Sequence, residues 1–146
     1  RHALMLDAQL QGANLRRANL MRADIRGANL MGATLKDADL FEARVSVTDM
    51  RGADLTGADL TGAELQEANM RGATLAHATL RNASLYNAML IQADLRGADL
   101  TDADLRQADL HQAILTGADL RSAWYNQSTR WPVGFDPVKA GASFRY

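Results

Sequence analysis

The stretch ADLTGADLTGAEL, which spans residues 53–65, contains the pattern that decides the fold. Ala recurs at every fifth position from Ala3 to Ala123, and Thr48 is the single exception in this column. Two positions after each residue of the column as far as Ala118 lies a large apolar side chain, and 19 of these 24 side chains are Leu. Such unbroken self-similarity indicates one small structural unit that is repeated along the chain.

A period of five residues is incompatible with the two common secondary structures. A helix turns about 100° per residue, so successive Leu residues would lie about 140° apart and form no single apolar face. A flat strand alternates with a period of two, so consecutive repeats would face opposite sides. The pattern therefore predicts a chain that turns a corner once per repeat, with Ala and Leu inside. Gly is expected at the corner, where a positive φ costs it little, as at Gly27, Gly52, Gly57, Gly62, Gly97 and Gly117.

The repeat A-(D/N)-L-x-x resembles the pentapeptide-repeat family, with examples in Ala18-Asn19-Leu20 and Ala98-Asp99-Leu100. The resemblance covers about 120 of the 146 residues. It implies an all-β fold, a right-handed quadrilateral parallel β-helix with four repeats in each coil and about six coils in all. A coil of that length stacks Asp24, Arg44 and Glu64 into a ladder of alternating charge.

The last residues depart from the repeat, so the chain divides into a β-helix over residues 1–123 and a C-terminal capping segment over residues 124–146. Solenoids need caps because their end coils would otherwise expose the core. Asp136-Pro137 followed by Gly141 predicts a short helix over the last coil, since the order combines an N-cap, a proline in the first turn and a stop signal. The segment is similar to the C-terminal caps of cyanobacterial members of the family. The expected capping residues are Trp124, Tyr125, Trp131 and Phe135.

Two other places depart from the pattern. Thr48 brings a branched polar side chain into an Ala position, next to Val45-Ser46-Val47. We expect a local widening in which the Thr48 hydroxyl binds the backbone, and a deliberate kink is the alternative. Leu4 and Leu6 occupy positions that are polar in most repeats. Residues that precede the chain, or a neighbouring molecule, are expected to cover these two leucines.

Bulk composition limits the classes of function. The net charge of −1 is neither basic enough to indicate nucleic-acid binding nor acidic enough to indicate a nucleic-acid mimic. The absence of cysteine excludes disulfides and thiolate metal sites. The longest apolar runs, such as Ala88 to Ile91, are far shorter than a membrane span of about 18 residues, so no membrane insertion is expected. The chain begins at Arg1 already in register, which indicates trimming upstream. We expect a cytoplasmic protein, or a periplasmic or thylakoid-lumen protein if an export signal was trimmed.

No residue pattern indicates catalysis. A solenoid filled by Ala and Leu leaves no concave pocket in which reactive groups could converge. His2, His77 and His111 lie far apart in the sequence, and no carboxylate stands at metal-ligand spacing from them. The many Asp residues occupy outward positions of the repeat. The sequence therefore predicts no enzyme, no cofactor and no metal.

The outward positions hold the candidate contact residues. A four-sided coil places Met21 and Phe41 on one face, whose six carboxylates and three arginines give a net charge of −3. Apolar residues on such a surface indicate either a contact patch for a protein partner or the scattered hydrophobic residues that are normal on any surface. The candidate interaction surface comprises Met21, Met31, Phe41, Tyr86, Met89 and Ile91.

The resemblance and the surface together favour a non-catalytic protein-interaction scaffold. Some family members, those of the quinolone-resistance type, mimic DNA and bind DNA gyrase. That activity needs a strongly acidic rod, whereas arginines interleave with the carboxylates here. End-to-end homodimers, formed through the apolar N-terminal residues or the aromatic tail, are a further hypothesis. A protein partner is expected, and no nucleic acid.

Overall fold

The computed structural model describes residues 3–146, which wind into a solenoid held by parallel β-bridges. From Leu4↔Asp24 to Asp104↔Trp124, each bridge joins a residue to the one 20 positions later. One bridge forms in every pentapeptide, so a coil of 20 residues has four sides. The predicted β-helix solenoid is confirmed. Its regular strands are short: β1 (Trp124–Tyr125) and β2 (Ser143–Phe144) pair in parallel near the C-terminal end.

A tight turn forms the corner of every repeat. The N–H of Ala58 donates to the carbonyl of Leu55 at 3.0 Å, and Gly57, the third residue of this turn, has a φ of 68°. A closing bond combined with positive φ at that position defines a type II β-turn. The same backbone occurs at corners without glycine, for example at Asn82 and Asn87. The predicted positive φ at the corners is therefore confirmed, and it applies whether or not the residue is Gly.

The Asp or Asn of the repeat has a structural role. The coil ladder and the turn use the backbone N–H groups of four residues in each repeat, and the N–H that follows Leu is left over. The side chain before Leu accepts it: Asp54 Oδ1 from Thr56 N–H at 3.0 Å, and Asn29 Oδ1 from Met31 N–H at 3.1 Å. Asx side chains commonly bind the backbone two residues on. The repeat therefore selects Asp and Asn because they satisfy the last free donor of the corner.

The core consists of the stacked Ala and Leu columns. From Ala23 to Leu110 every Ala and every large apolar residue of the two columns is fully or almost fully buried. Close-packed interiors leave few voids larger than a water molecule. Leu4 remains 77% exposed, and Leu6 is exposed as well. Within residues 3–146 nothing covers these two leucines.

Thr48 is buried, and its hydroxyl donates to the carbonyl oxygen of Ile25 at 3.2 Å. The prediction that this hydroxyl binds the backbone is confirmed. Among the corners of residues 3–123, only the one from Val45 to Thr48 lacks the closing turn bond. Thr129 repeats the arrangement in the tail, where its hydroxyl donates to Leu105 O at 3.0 Å. Thr is thus accepted in the Ala column where a carbonyl of the neighbouring coil faces it.

The predicted helix over Asp136–Gly141 is wrong, because residues 3–146 contain no helix. The start signal is real, since the Asp136 carboxylate accepts the N–H groups of Val138 and Lys139 at 3.1 Å each. The stop signal is also real, since Gly141 has a φ of 89°. The two signals lie so close together that only one turn fits between them, and one turn does not offset the cost of helix nucleation.

Val47 is strained by its corner position, and we expect Val47→Asn to raise the free energy of unfolding by about 1 kcal/mol. The side chain is 62% exposed, so little burial is lost, and its φ of 60° is unfavourable for a β-branched residue. Asn occupies the equivalent corner position at Asn82 and Asn87. Urea denaturation followed by circular dichroism measures the change. Val133→Asn, at an exposed position without positive φ, is the matched control and should have no effect. A destabilised V47N protein would show that the strain is absent.

Candidate functional site

The candidate residues Met21 and Phe41 lie one coil apart, as the register predicts, but only Met21 is exposed. Phe41 is half-buried, and the guanidinium carbon of Arg22 lies 6.0 Å from its ring centroid. Arg22 in turn binds Glu42, with 2.7 Å between Nε and Oε2. This part of the surface is therefore a small apolar spot enclosed by a charged pair. Met31 is also exposed.

The other three candidates are half-buried and lie toward the C-terminal end. Met89 lines a shallow groove of about 300 Å³ together with polar residues, among them Asp109 and Arg130. Tyr86 lies near Arg106, whose guanidinium carbon is 6.0 Å from the ring centroid. Tyr86 therefore belongs with a second group of residues. The six candidates do not form one continuous patch.

That second group is an arginine–aromatic cluster comprising Tyr86, Arg106, Trp124, Phe144, Arg145 and Tyr146. Two guanidinium groups lie near the ring of Trp124, with Arg106 Cζ at 5.8 Å and Arg145 Cζ at 5.4 Å from the ring centroid. Such distances allow cation–π attraction. Phe144 meets Tyr146 edge to face, with 5.4 Å between their centroids. Four residues of the cluster are exposed, whereas Tyr86 and Arg106 are half-buried.

A groove of about 690 Å³ runs along this cluster. Its lining residues are two arginines and three aromatic residues, and none of them is acidic: Arg106, Trp124, Phe144, Arg145 and Tyr146. Asp104 holds Arg106 in a bidentate pair, with 2.9 Å from Nε to Oδ1 and 2.7 Å from Nη2 to Oδ2. Arg145 makes no ion pair with any residue in the range 3–146. The groove therefore offers one held and one available guanidinium.

Three of the four expected capping residues pack against the core. Tyr125 and Trp131 meet edge to face at 5.7 Å between centroids, and Trp131 stacks on Phe135 at 5.2 Å. Trp124 differs from them, because it is exposed and faces the cluster. The 20-residue register would have placed Tyr86 and Arg106 together. Nothing in the sequence pattern placed Arg145, because the tail does not follow that register.

Several carboxylates of the repeat, among them Asp94, Asp104 and Asp119, have a pKa lowered by the arginine two residues later. The hydrogen bond from Arg96 lowers the pKa of Asp94 below its ordinary value, and Arg121 does the same for Asp119. Burial raises the pKa of Asp104, but the hydrogen bonds from Arg106 outweigh it and leave this pKa lowered as well. Paired carboxylates of lowered pKa are poor proton donors at neutral pH. We therefore assign these carboxylates a structural role, in which they bind the neighbouring arginines.

These pKa shifts predict a stability that is lost in acid. A carboxylate whose folded pKa is depressed stabilises the fold above its unfolded value of about 3.9, and this contribution disappears as the pH falls through the lower folded pKa. The melting temperature should therefore stay level from pH 8 to about pH 5 and fall steeply below about pH 4. Asp94→Asn combined with Asp119→Asn should make the acid fall shallower. An unchanged slope in this double variant would contradict the assignment.

The histidines of the described residues do not converge on one site. His77 and His111 are exposed and lie on different faces of the coil, and His2 falls outside the described residues. Within residues 3–146 no group of three His, Asp or Glu side chains could hold a metal ion. No helix that could cross a membrane occurs in this part of the chain.

A family model matches the repeats of this chain, whereas no curated sequence does. The model of the family "Pentapeptide repeats" matches in eight copies over residues 7–37, 38–75, 68–107 and 93–124. No curated protein sequence matches the chain.

Three of the solved structures that are similar to the chain describe the range of the resemblance. HetL from the cyanobacterium Nostoc sp. strain PCC 7120, a pentapeptide repeat protein involved in heterocyst differentiation regulation, is 38% identical over 84% of this chain, with a TM-score of 0.44. The chain spans 62% of HetL's length. Rfr23 from the cyanobacterium Cyanothece 51142 is 27% identical, with 84% of this chain and 87% of Rfr23 covered and a TM-score of 0.46. The plasmid-mediated fluoroquinolone resistance protein QnrB1 shares the fold, with 14% identity, coverage of 99% and 92%, and a TM-score of 0.56.

Proposed function

We propose, because this chain belongs to the pentapeptide-repeat family, that it is a non-catalytic scaffold that binds another protein. The observation that supports this proposal is that the core is filled, while side chains able to bind a protein are exposed on the surface. The Ala and Leu columns fill the coils, so a ligand has no interior to enter. The exposed aromatic and arginine side chains of the arginine–aromatic cluster are of the types that dominate binding energy in protein interfaces.

A rigid rod suits this role. Every coil is fixed by its ladder bonds and corner turns, so the backbone loses little freedom when a partner docks. Interfaces that are ordered before binding avoid much of the entropy cost of association. The coils also keep outward side chains at a constant spacing of about 4.8 Å between neighbouring coils. The proposal therefore predicts a partner that binds along the wall of the solenoid.

The test is reconstitution with a captured partner. Wild-type protein, a Phe41→Asp variant and a Trp124→Ala variant are each crosslinked in extract of the source organism, and the partner of highest yield is then purified and titrated calorimetrically. A one-to-one complex of purified components that one of the two variants weakens would support the scaffold. If no purified component binds wild-type protein, the proposal fails.

A DNA-mimicking inhibitor of DNA gyrase is the alternative, and it has less support. The observation that favours DNA mimicry is the face with a net charge of −3. On that face Arg22 binds Glu42 at 2.7 Å and Arg121 binds Asp119 at 2.6 Å, so the acidic surface is interrupted. We expect no inhibition of gyrase supercoiling at a tenfold molar excess of the protein. Dose-dependent inhibition would make this alternative the better proposal.

We further propose that the exposed Leu4 and Leu6 support end-to-end association of two copies. Two exposed leucines beside partly exposed core residues such as Met5 form an apolar end surface. Sedimentation velocity at high concentration should show a dimer that a Leu4→Asp, Leu6→Asp double variant abolishes. A wild-type protein that stays monomeric at millimolar concentration would remove this proposal.

A further inference from the structure

We infer that the arginine–aromatic cluster binds an acidic peptide segment that presents an aromatic or aliphatic side chain between its carboxylates. The inference rests on the proposed scaffold function and names the partner chemistry of one surface. The repeat pattern did not predict this surface as a whole, because Phe144, Arg145 and Tyr146 lie outside the 20-residue register.

The charge distribution along the chain favours an acidic partner at this end. Residues 124–146 contain three basic residues and one acidic residue, a net charge of +2. Residues 1–123 contain 13 basic and 16 acidic residues, a net charge of −3. The field of such a molecule attracts anionic segments to the C-terminal end and repels them from the rest of the rod.

The groove provides a binding group for each part of such a segment. Arg145 is exposed and has no ion pair within residues 3–146, so a partner carboxylate gains a bidentate hydrogen bond without displacing another. Trp124 is 38% exposed and Phe144 is 46% exposed, and both line the same groove. An apolar side chain placed between them removes both rings from water. The groove thus places the positive charge of Arg145 next to the exposed rings of Trp124 and Phe144.

The part of the cluster formed by Arg106, Trp124 and Phe144 is held in place before anything binds. The bidentate pair with Asp104 fixes Arg106, and Arg106 lies against the rings of Tyr86 and Trp124. β1, which contains Trp124, pairs with β2, which contains Phe144. Binding therefore costs little side-chain entropy on this side of the interface.

A nucleic acid fits the same surface less well. Aromatic side chains beside arginine can stack bases, but strand binding also needs a positive groove that follows the phosphates over several nucleotides. Here the adjoining coils carry Asp104 and Asp109, and the repeats as a whole are net negative. A peptide with a few carboxylates needs only the local charge.

The experiment is an NMR titration of ¹⁵N-labelled protein with three synthetic peptides of the form Ac-EDEFEDE-NH2, Ac-EDESEDE-NH2 and Ac-KRKFKRK-NH2. The chain has two tryptophans, which give two indole N–H signals. Trp131 Nε1 is buried, so its signal is an internal reference. The acidic peptide with Phe should shift the Trp124 signal to saturation and leave the Trp131 signal in place. The Ser peptide should bind about tenfold more weakly, and the basic peptide should not bind.

Two variants and one control complete the test. Trp124→Ala and Arg145→Glu should each raise the Kd for the Phe-containing acidic peptide at least about tenfold. Arg71→Glu makes the same charge change at an exposed position on another face and should leave Kd unchanged. Because Arg145 is exposed, its replacement should leave the fold intact. Arg145→Glu therefore tests the inference even if Trp124→Ala disturbs the C-terminal segment.

Three outcomes would overturn the inference. These are no saturable shift with the acidic peptide, equal binding of the acidic and basic peptides, or tighter binding of an oligothymidine of about ten nucleotides. Failure here is distinct from failure of the scaffold proposal. If the cluster variants still bind the reconstituted partner as wild type does, only the inference fails; if wild-type protein has no partner, the scaffold proposal itself fails.

Discussion

Replacing Leu60 with Ala is expected to lower the free energy of unfolding by about 3–5 kcal/mol. Leu60 is completely buried near the middle of the rod, between Leu40 and Leu80 in the coils on either side. Its removal leaves a cavity that the neighbouring coils cannot close, because their spacing is fixed by the ladder. Urea denaturation monitored by circular dichroism measures the loss.

Leu4→Ala is the matched control for this prediction. It makes the same chemical change at a side chain that is 77% exposed, and it should cost less than about 0.5 kcal/mol. The contrast between the two variants isolates burial from any change in backbone preference. A loss of under about 1 kcal/mol for Leu60→Ala would mean that the coils relax around the cavity, contrary to a rigid solenoid.

Replacing Gly141 with Ala is expected to destabilise the C-terminal segment, residues 124–146, by about 2–3 kcal/mol. Gly141 has a φ of 89°, and an added Cβ would lie 3.3 Å from the backbone Cα of Arg121. Its carbonyl also accepts the N–H of Ser122 at 2.9 Å, so a shift of the turn breaks a bond to the preceding coil. We expect a red-shifted tryptophan emission as Trp131 becomes solvated, together with faster hydrogen exchange confined to the tail.

Gly52→Ala separates the two causes of this effect. Gly52 also has a positive φ, of 64°, but an added Cβ would meet nothing within 4 Å. This variant should cost only the backbone strain, about 1 kcal/mol, and leave the tryptophan emission unchanged. Equal losses in the two variants would show that the contact with Arg121 has no energetic importance.

The sequence predicted the repeat region well because one physical rule holds in every pentapeptide. Ala and Leu must point inward, and the corner needs a left-handed residue, so the core, the corner glycines and the bonded hydroxyl of Thr48 all followed from the five-residue register. The rule also placed residues such as Met21 and Phe41 one coil apart. It did not show how a neighbour such as Arg22 would cover Phe41, since that depends on side-chain conformation.

The tail could not be predicted in the same way because its register changes. Asp109 pairs with Arg130, a spacing of 21 residues, and Trp124 pairs with Ser143, a spacing of 19 residues. Local signals at Asp136 and Gly141 were read correctly as start and stop, but they indicated a helix where only a turn fits. The arginine–aromatic cluster was missed for the same reason, since Arg145 reaches Trp124 only through the pairing of β2 with β1.

The 20-residue pairing has a consequence for how such a chain can change over evolutionary time. Each outward side chain has its coil neighbours at fixed sequence offsets, so a substitution on one face leaves the packing of the other faces unaltered. Substitutions several coils apart share no contact and should therefore combine additively. Duplicating or deleting one 20-residue block changes the length of the rod and keeps every remaining pairing intact. A protein built in this way can acquire a new recognition surface on one wall while an older one persists on another.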